Sequence, residues 1–102
     1  LKIMKLLLIT AVEEFEKEVK NILKHSGVKA FSYQSVKGFK NNGNELENCF
    51  SSDNVEIDSL LFTVFIESKY ADEIYNRVED FNSKQKTLSH VHIATVQLEK
   101  SI

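Results

Sequence analysis

The stretch IDSLLFTVFIE, from Ile57 to Glu67, carries the strand pattern that decides the fold. A run this rich in aromatic and β-branched residues predicts a β-strand. Successive strand side chains point to opposite faces, and both faces of this strand would be apolar. One face would present Leu60, Phe62, Val64 and Ile66, and the other Leu61, Thr63 and Phe65. Such a strand is typical of a sheet that is covered on both sides.

Three more strands and two helices are predicted on either side of this run. Apolar residues recur at helical spacing from Val12 to Leu23 and again from Ala71 to Phe81. Thr10 and Glu13 fit a capping box that opens the first helix, Gly27 fits its C-terminal cap, and Ser68 fits an N-cap of the second helix. The other strands are predicted over Lys2–Thr10, Val28–Lys37 and His90–Glu99.

The predicted order β-α-β-β-α-β is that of the ferredoxin-like fold, an α+β sandwich. Its antiparallel four-stranded sheet carries two helices on one face, so an apolar second face requires another cover. The predicted domain takes up residues 1–102, so no further segment of this sequence is available to cover that face. A second copy of the protein is therefore the favoured cover. The alternative is a monomer that exposes some apolar surface, as many monomers do.

Composition limits the class of protein. With 102 residues, 42% of them hydrophobic, the chain predicts one folded domain, and its net charge of −2 argues against nucleic acid as a partner. No apolar run is long enough to span a membrane, and the single Cys49 fits a reducing compartment, so a cytoplasmic location is predicted. Met4 is compatible with a natural start, in which case Leu1 to Ile3 would be a cloning remnant.

A long polar segment, residues 38–56, separates the second and third predicted strands. Unstructured loops of that length are uncommon in compact domains unless they are functional. We predict a flexible loop that orders on a partner protein. The candidate partner-binding residues are Lys40, Glu45, Glu47, Cys49, Phe50 and Ser51.

No phosphate-binding glycine loop or nucleophile motif occurs in the sequence, so an enzyme is the least favoured class. A Cys49 thiolate with His90 or His92 has no supporting local motif. His90 and His92 would share one strand face and could begin a metal site, with Cys49 or His25 as further ligands. The alternative, surface or interface histidines, is favoured.

Four lysines lie next to predicted strand ends: Lys37, Lys40, Lys84 and Lys86. Loops that carry them could converge on an anion, above all between two subunits, because a lysine ammonium binds phosphate as a point charge. On sequence pattern alone, ordinary solvated lysines are the simpler interpretation.

The layout resembles the PII signal-transduction proteins of the nitrogen-regulatory type and their PII-like relatives. The resemblance runs from Met4 to the end of the chain and is sharpest at Ser35-Val36-Lys37-Gly38-Phe39, which matches the family's V-K-G-F segment at the end of strand two. The long segment after it stands at the place of the family's T-loop.

The resemblance implies a non-enzymatic homotrimer with the sheets packed inward, an effector bound between subunits, and a loop that contacts a target such as a membrane transporter. For the effector site it implies Lys37, Gly38 and Phe39, and we add Lys84 and Lys86 as substitutes for phosphate contacts. The implied ligand is an adenine nucleotide. The metal-responsive alternative, of the divalent-cation tolerance type, shares the trimeric architecture and would use His90 and His92.

Three departures from the family pattern make this a divergent member. Residues 82–89, at the place of the Gly-rich phosphate segment, contain no glycine. The chain ends Glu99-Lys100-Ser101-Ile102, without the family's basic arginines, and residues 38–56 contain no tyrosine. These departures argue against the standard sensing of ATP and 2-oxoglutarate.

Overall fold

A computed structural model describes residues 3–41 and 54–102 of the chain. Four strands and two α-helices follow the predicted order, and a short 3-10 turn precedes each helix. The elements are β1 Met4–Val12, α1 Glu16–His25, β2 Ser32–Asn41, β3 Asn54–Glu67, α2 Ala71–Ser83 and β4 His92–Gln97. The strands form one antiparallel sheet in the order β2-β3-β1-β4, which confirms the ferredoxin-like α+β fold.

The core lies between one face of the sheet and the two helices. Leu7 and Ile9 of β1 and the alternating residues of β3 from Leu60 to Ile66 are buried there. The helices contribute the predicted stripes: Val19, Leu23, Ile74 and Val78 are buried against the sheet. Truncation of such a fully buried aliphatic side chain to alanine typically costs about 2–5 kcal/mol.

The helix ends are held by local contacts, some of which differ from the predicted caps. Gly27 has φ +85°, as its predicted role at the end of α1 requires. The capping box at Thr10 is wrong, because β1 continues to Val12 and Thr10 pairs with Leu61. Ser68 opens a 3-10 turn rather than α2, and no side-chain cap forms at that turn.

Two adjoining strands extend further than predicted. The predicted loop, residues 38–56, is too long at both ends, because residues 38–41 belong to β2 and residues 54–56 to β3. Gly38 lies opposite Ile57, and Lys40 lies opposite Val55. The ladder is formed by backbone amides and carbonyls, which polar residues also carry, so the end of the apolar pattern does not mark the end of the strand. We call the paired segments Lys37–Asn41 and Asn54–Asp58 the ribbon, since β1 ends its pairing with β3 at Ser59.

The sheet face away from the helices, here the open face, is largely apolar. Strand alternation and register place Phe65, Leu6 and Val96 in one row across β3, β1 and β4. Phe65 is 59% exposed and Val96 42% exposed. The next rows add Thr63, Leu8 and Ala94, and then Leu61, Thr10 and His92. The described elements leave this face without a cover.

Candidate functional site

The predicted effector residues lie at the end of the sheet from which the ribbon extends. Val12 pairs with Ser59 at this end, Val36 pairs with the same serine, and His92 begins β4 opposite Thr10. Lys37 and Gly38 therefore continue one edge strand, while the link that contains Lys84 and Lys86 enters the other edge strand. Three strand spacings separate the two edges, or about 14 Å.

Lys37 lies at the base of the ribbon and is already paired. Its ammonium donates a hydrogen bond to Asp58 Oδ1 across the strands at 2.6 Å. The pair lies beside a small depression of about 140 Å³ that Glu13 and Ser35 also line. The hydrogen bond to Asp58 raises the pKa of Lys37 above its usual 10.5. Lys37 is thus charged at neutral pH, and its positive charge is lost as the pH rises through that raised pKa.

Gly38 lies where the neighbouring strand leaves little space for a side chain. A Cβ at this position would meet Ser59 Oγ at 2.9 Å and the Ile57 carbonyl oxygen at 3.2 Å. Its backbone needs no left-handed conformation, so here glycine provides space rather than φ freedom. The next residue, Phe39, pairs with Glu56 and is 67% exposed, which is unusual for so large an apolar side chain.

Lys84 and Lys86 lie in the link between α2 and β4. Lys84 follows the last residue of α2 and donates to Asp80 Oδ2 at 3.0 Å. Lys86 is exposed and forms no ion pair with another residue in the described ranges. In one subunit these two lysines and Lys37 are therefore at opposite edges of the sheet and do not form a single site.

Asn82 fixes the geometry of that link, and the sequence interpretation missed it. Its side-chain amide donates to the Val91 carbonyl at 2.9 Å, and its side-chain oxygen accepts from the Val91 amide at 2.8 Å. This two-point clamp joins the end of α2 to the start of β4. An asparagine in the last turn of a helix is too common to predict such a clamp from sequence.

The two histidines flank the buried Val91. His92 is the first residue of β4 and His90 precedes the strand; both are exposed. Among residues 3–41 and 54–102, no group of three or more His, Cys, Asp or Glu side chains is arranged to hold a metal ion. Cys49, one of the predicted additional ligands, lies outside the described residues.

Of the predicted partner-binding residues, only Lys40 falls within the described part of the chain. It is exposed on the ribbon opposite Val55. The other five residues lie outside the described residues: Glu45, Glu47, Cys49, Phe50 and Ser51.

A larger groove of about 640 Å³ lies between α2 and the β4 edge, away from every predicted site residue. Tyr75 Oη and Thr95 Oγ1 share a hydrogen bond of 2.6 Å at its wall. Lys5, Asp72 and Glu79 add charges of both signs. The groove is open and polar, and its residues were not singled out by any sequence motif.

The three comparisons with known proteins differ in what they find. No protein-family model matches the sequence, and no curated protein matches it at a significant level. Solved structures do match: GlnK of B. subtilis in complex with ATP has a TM-score of 0.75 at 14% identity, covering 98% of this chain and 87% of that one. CPII, a nitrogen regulatory PII-like protein from Thiomonas intermedia K12 bound to ADP, AMP and bicarbonate, has a TM-score of 0.64 at 13% identity, covering 97% and 96%. The chain therefore has the fold of the PII proteins over nearly its whole length.

Proposed function

We propose that this chain is a non-enzymatic, PII-like regulatory protein. In this proposal it assembles as a homotrimer, binds a small anionic effector between subunits, and signals to a partner protein through residues 40–53. The observation that carries the proposal is the uncovered apolar sheet face on a chain with the PII fold.

Self-association would cover the open face. Phe65, Leu6 and Val96 form an apolar row across three of its strands, and burial in an interface would gain about 25 cal/mol for each Å² of apolar surface removed from water. Exposed patches of this kind mark interaction surfaces. A second copy is the simplest partner, because it brings an identical apolar face.

A site between subunits would also unite the separated lysines. Lys37 lies at the β2 edge and Lys84 and Lys86 at the β4 edge, at the same end of the sheet. Only a neighbouring subunit could place one copy's β2 edge beside another copy's β4 edge. An adenine nucleotide is the proposed effector, since structures with this fold were solved with ATP, ADP and AMP.

The ribbon is the proposed route to the partner. It carries the exposed Phe39 and Lys40 away from the core, and residues 42–53 join its two strands. By linkage, the effector can act only if it binds some conformations of this region more tightly than others. A membrane transporter is the proposed target, and the cytoplasm the proposed location. Neither helix in the described ranges is long and apolar enough to cross a membrane.

Two measurements on the full chain test the proposal. Native mass spectrometry should give a species of three 11.7 kDa chains. Calorimetry with ATP, ADP, AMP and a cyclic nucleotide should give saturable binding of at least one of them. A monomer at micromolar concentration, or no binding at millimolar nucleotide, would contradict the assembly or the effector part respectively.

A further inference from the structure

We propose that the effector is an anion of low charge, a phosphate monoester rather than a polyphosphate, because the protein's own carboxylates compete for the effector lysines. This inference rests on the proposed function and makes it more specific. It assigns to Asp58 the role of a specificity residue, which discriminates against ligands with many negative charges.

The charges around Lys37 are mainly negative. Asp58 holds its ammonium at 2.6 Å, and the carboxylates of Glu56 and Glu13 also act on it electrostatically. Glu13 lines the same depression as Lys37 and Asp58. One ammonium is therefore in contact with one carboxylate and close enough to two more to interact with them, which does not suit a highly charged phosphate chain.

At the other edge of the sheet, a second effector lysine is also paired with a carboxylate. Lys84 is held by Asp80 at 3.0 Å, and both side chains are mostly exposed. Lys86 alone among the three effector lysines lacks an ion pair within the described residues. A site assembled from both edges would thus contain one lysine that is free of a competing carboxylate.

A phosphate bound at Lys37 would lie close to the Asp58 carboxylate and be repelled by it. A phosphate oxygen in contact with the Lys37 ammonium, at about 3 Å, lies within about 6 Å of the Asp58 carboxylate. In water, two unit charges at that distance repel enough to change affinity about threefold, before screening by salt. Each additional negative charge near this position adds a similar penalty. The site consequently favours a phosphate monoester over a polyphosphate, whose additional charges would each meet this repulsion.

Calorimetry at low ionic strength tests this inference on the full chain. The quantity measured is the ratio of ATP affinity to AMP affinity in the wild type, in Asp58→Asn, and in the matched control Glu73→Gln. Glu73 also pairs in an exposed ion pair, with Arg77 at 2.8 Å, but lies in the first turn of α2, towards the other end of the sheet. Both variants remove one negative charge. Asp58→Asn should raise the ratio about tenfold, as two extra ligand charges imply, and Glu73→Gln should change it less than twofold.

The possible results separate the two proposals. Binding of ATP that appears only in Asp58→Asn would also support the inference. Nucleotide binding with the same ratio in all three proteins would overturn the inference and leave the proposed effector site standing. No binding of either nucleotide by any of the three proteins would overturn the effector site, and the inference with it.

Discussion

Gly27 is required at the end of α1 because of its backbone conformation. It follows the C-cap Ser26 of α1 with φ +85°, and a Cβ there would meet no atom within 4 Å. Space is available, so the cost of another residue is purely conformational. Gly27→Ala should lower the free energy of unfolding by about 1–2 kcal/mol, the penalty for a left-handed residue with a Cβ. Chemical denaturation measures this value, and Gly27→Asn should lose less, because asparagine tolerates the conformation.

Gly38 is required for a different reason, which is space. An alanine Cβ would approach Ser59 Oγ to 2.9 Å, so the serine must move or the ribbon must open. We expect Gly38→Ala to cost about 1 kcal/mol, at the low end of overpacking penalties. In a Ser59→Ala background the cost should be smaller, because the nearest atom has been removed. Equal costs in the two backgrounds, measured by thermal or chemical denaturation, would contradict this explanation.

Side chains that depend on neighbours close in sequence were the easiest to predict. Gly27 has the predicted conformation, and Glu16 forms an ion pair at 2.8 Å with Lys20, which lies one helical turn further along α1. Thr10 fits a capping box just as well on sequence, yet it lies inside a strand. Its place is set by pairing with Leu61 and His92, which are more than 50 residues away and cannot be read from the local pattern.

The connection between α2 and β4 depends on the Asn82 clamp. Asn82→Ala would leave the amide and carbonyl of Val91 without their partners in a part-buried setting. Each such unsatisfied group costs about 1–3 kcal/mol when fully buried, so for two part-buried groups we expect a total loss of about 2 kcal/mol. Hydrogen exchange at the Val91 amide should accelerate together with the loss of thermal stability.

Ser83→Ala is the matched control for this clamp. The Ser83 hydroxyl donates to the Asp80 carbonyl at 2.7 Å, but in an exposed position where water can replace it. We expect a change below about 0.5 kcal/mol, as for most surface substitutions. A loss as large as that of Asn82→Ala would show that any polar truncation weakens this turn.

The order and type of the strands and helices could be predicted because each has a strong hydrophobic period. Their ends could not, and the errors have a common cause. β2 starts at Ser32 rather than Val28, and β4 starts at His92 rather than His90. A strand ends where its neighbour stops pairing, and that register is a property of the whole sheet.

At the scale of the whole molecule, assembly of the proposed trimer is expected to depend on the open face of the sheet. Phe65→Glu places a charge at the β3 end of the apolar row without touching the helix-side core, since Phe65 is 59% exposed. We expect the trimer to dissociate into folded monomers, as seen by native mass spectrometry and circular dichroism. Asn21→Glu, at an exposed position of α1 on the helix side of the sheet, is the control that should leave the proposed trimer intact. A trimer that survives Phe65→Glu would place the interface elsewhere.

The candidate site could be predicted only in outline. The Lys37-Gly38-Phe39 motif and the lysines of the link lie at the same end of the sheet, at its two edges, and their role in binding an effector stays a prediction. The partners of those lysines could not be predicted, because Asp58 reaches Lys37 through strand register and not through sequence proximity. Asn82 was missed for the same reason, since its partner lies nine residues further along the chain.

The ribbon also has a consequence for how such a chain can diverge. Its five residue pairs, from Lys37–Asp58 to Asn41–Asn54, have no third strand beside them in the described sheet. An insertion or deletion of residue pairs here would change the reach of the hairpin without moving any side chain of the buried core. Selection could therefore alter the length of this extension while leaving the folding of the domain almost untouched. Among related sequences, insertions and deletions should therefore be most frequent in the ribbon.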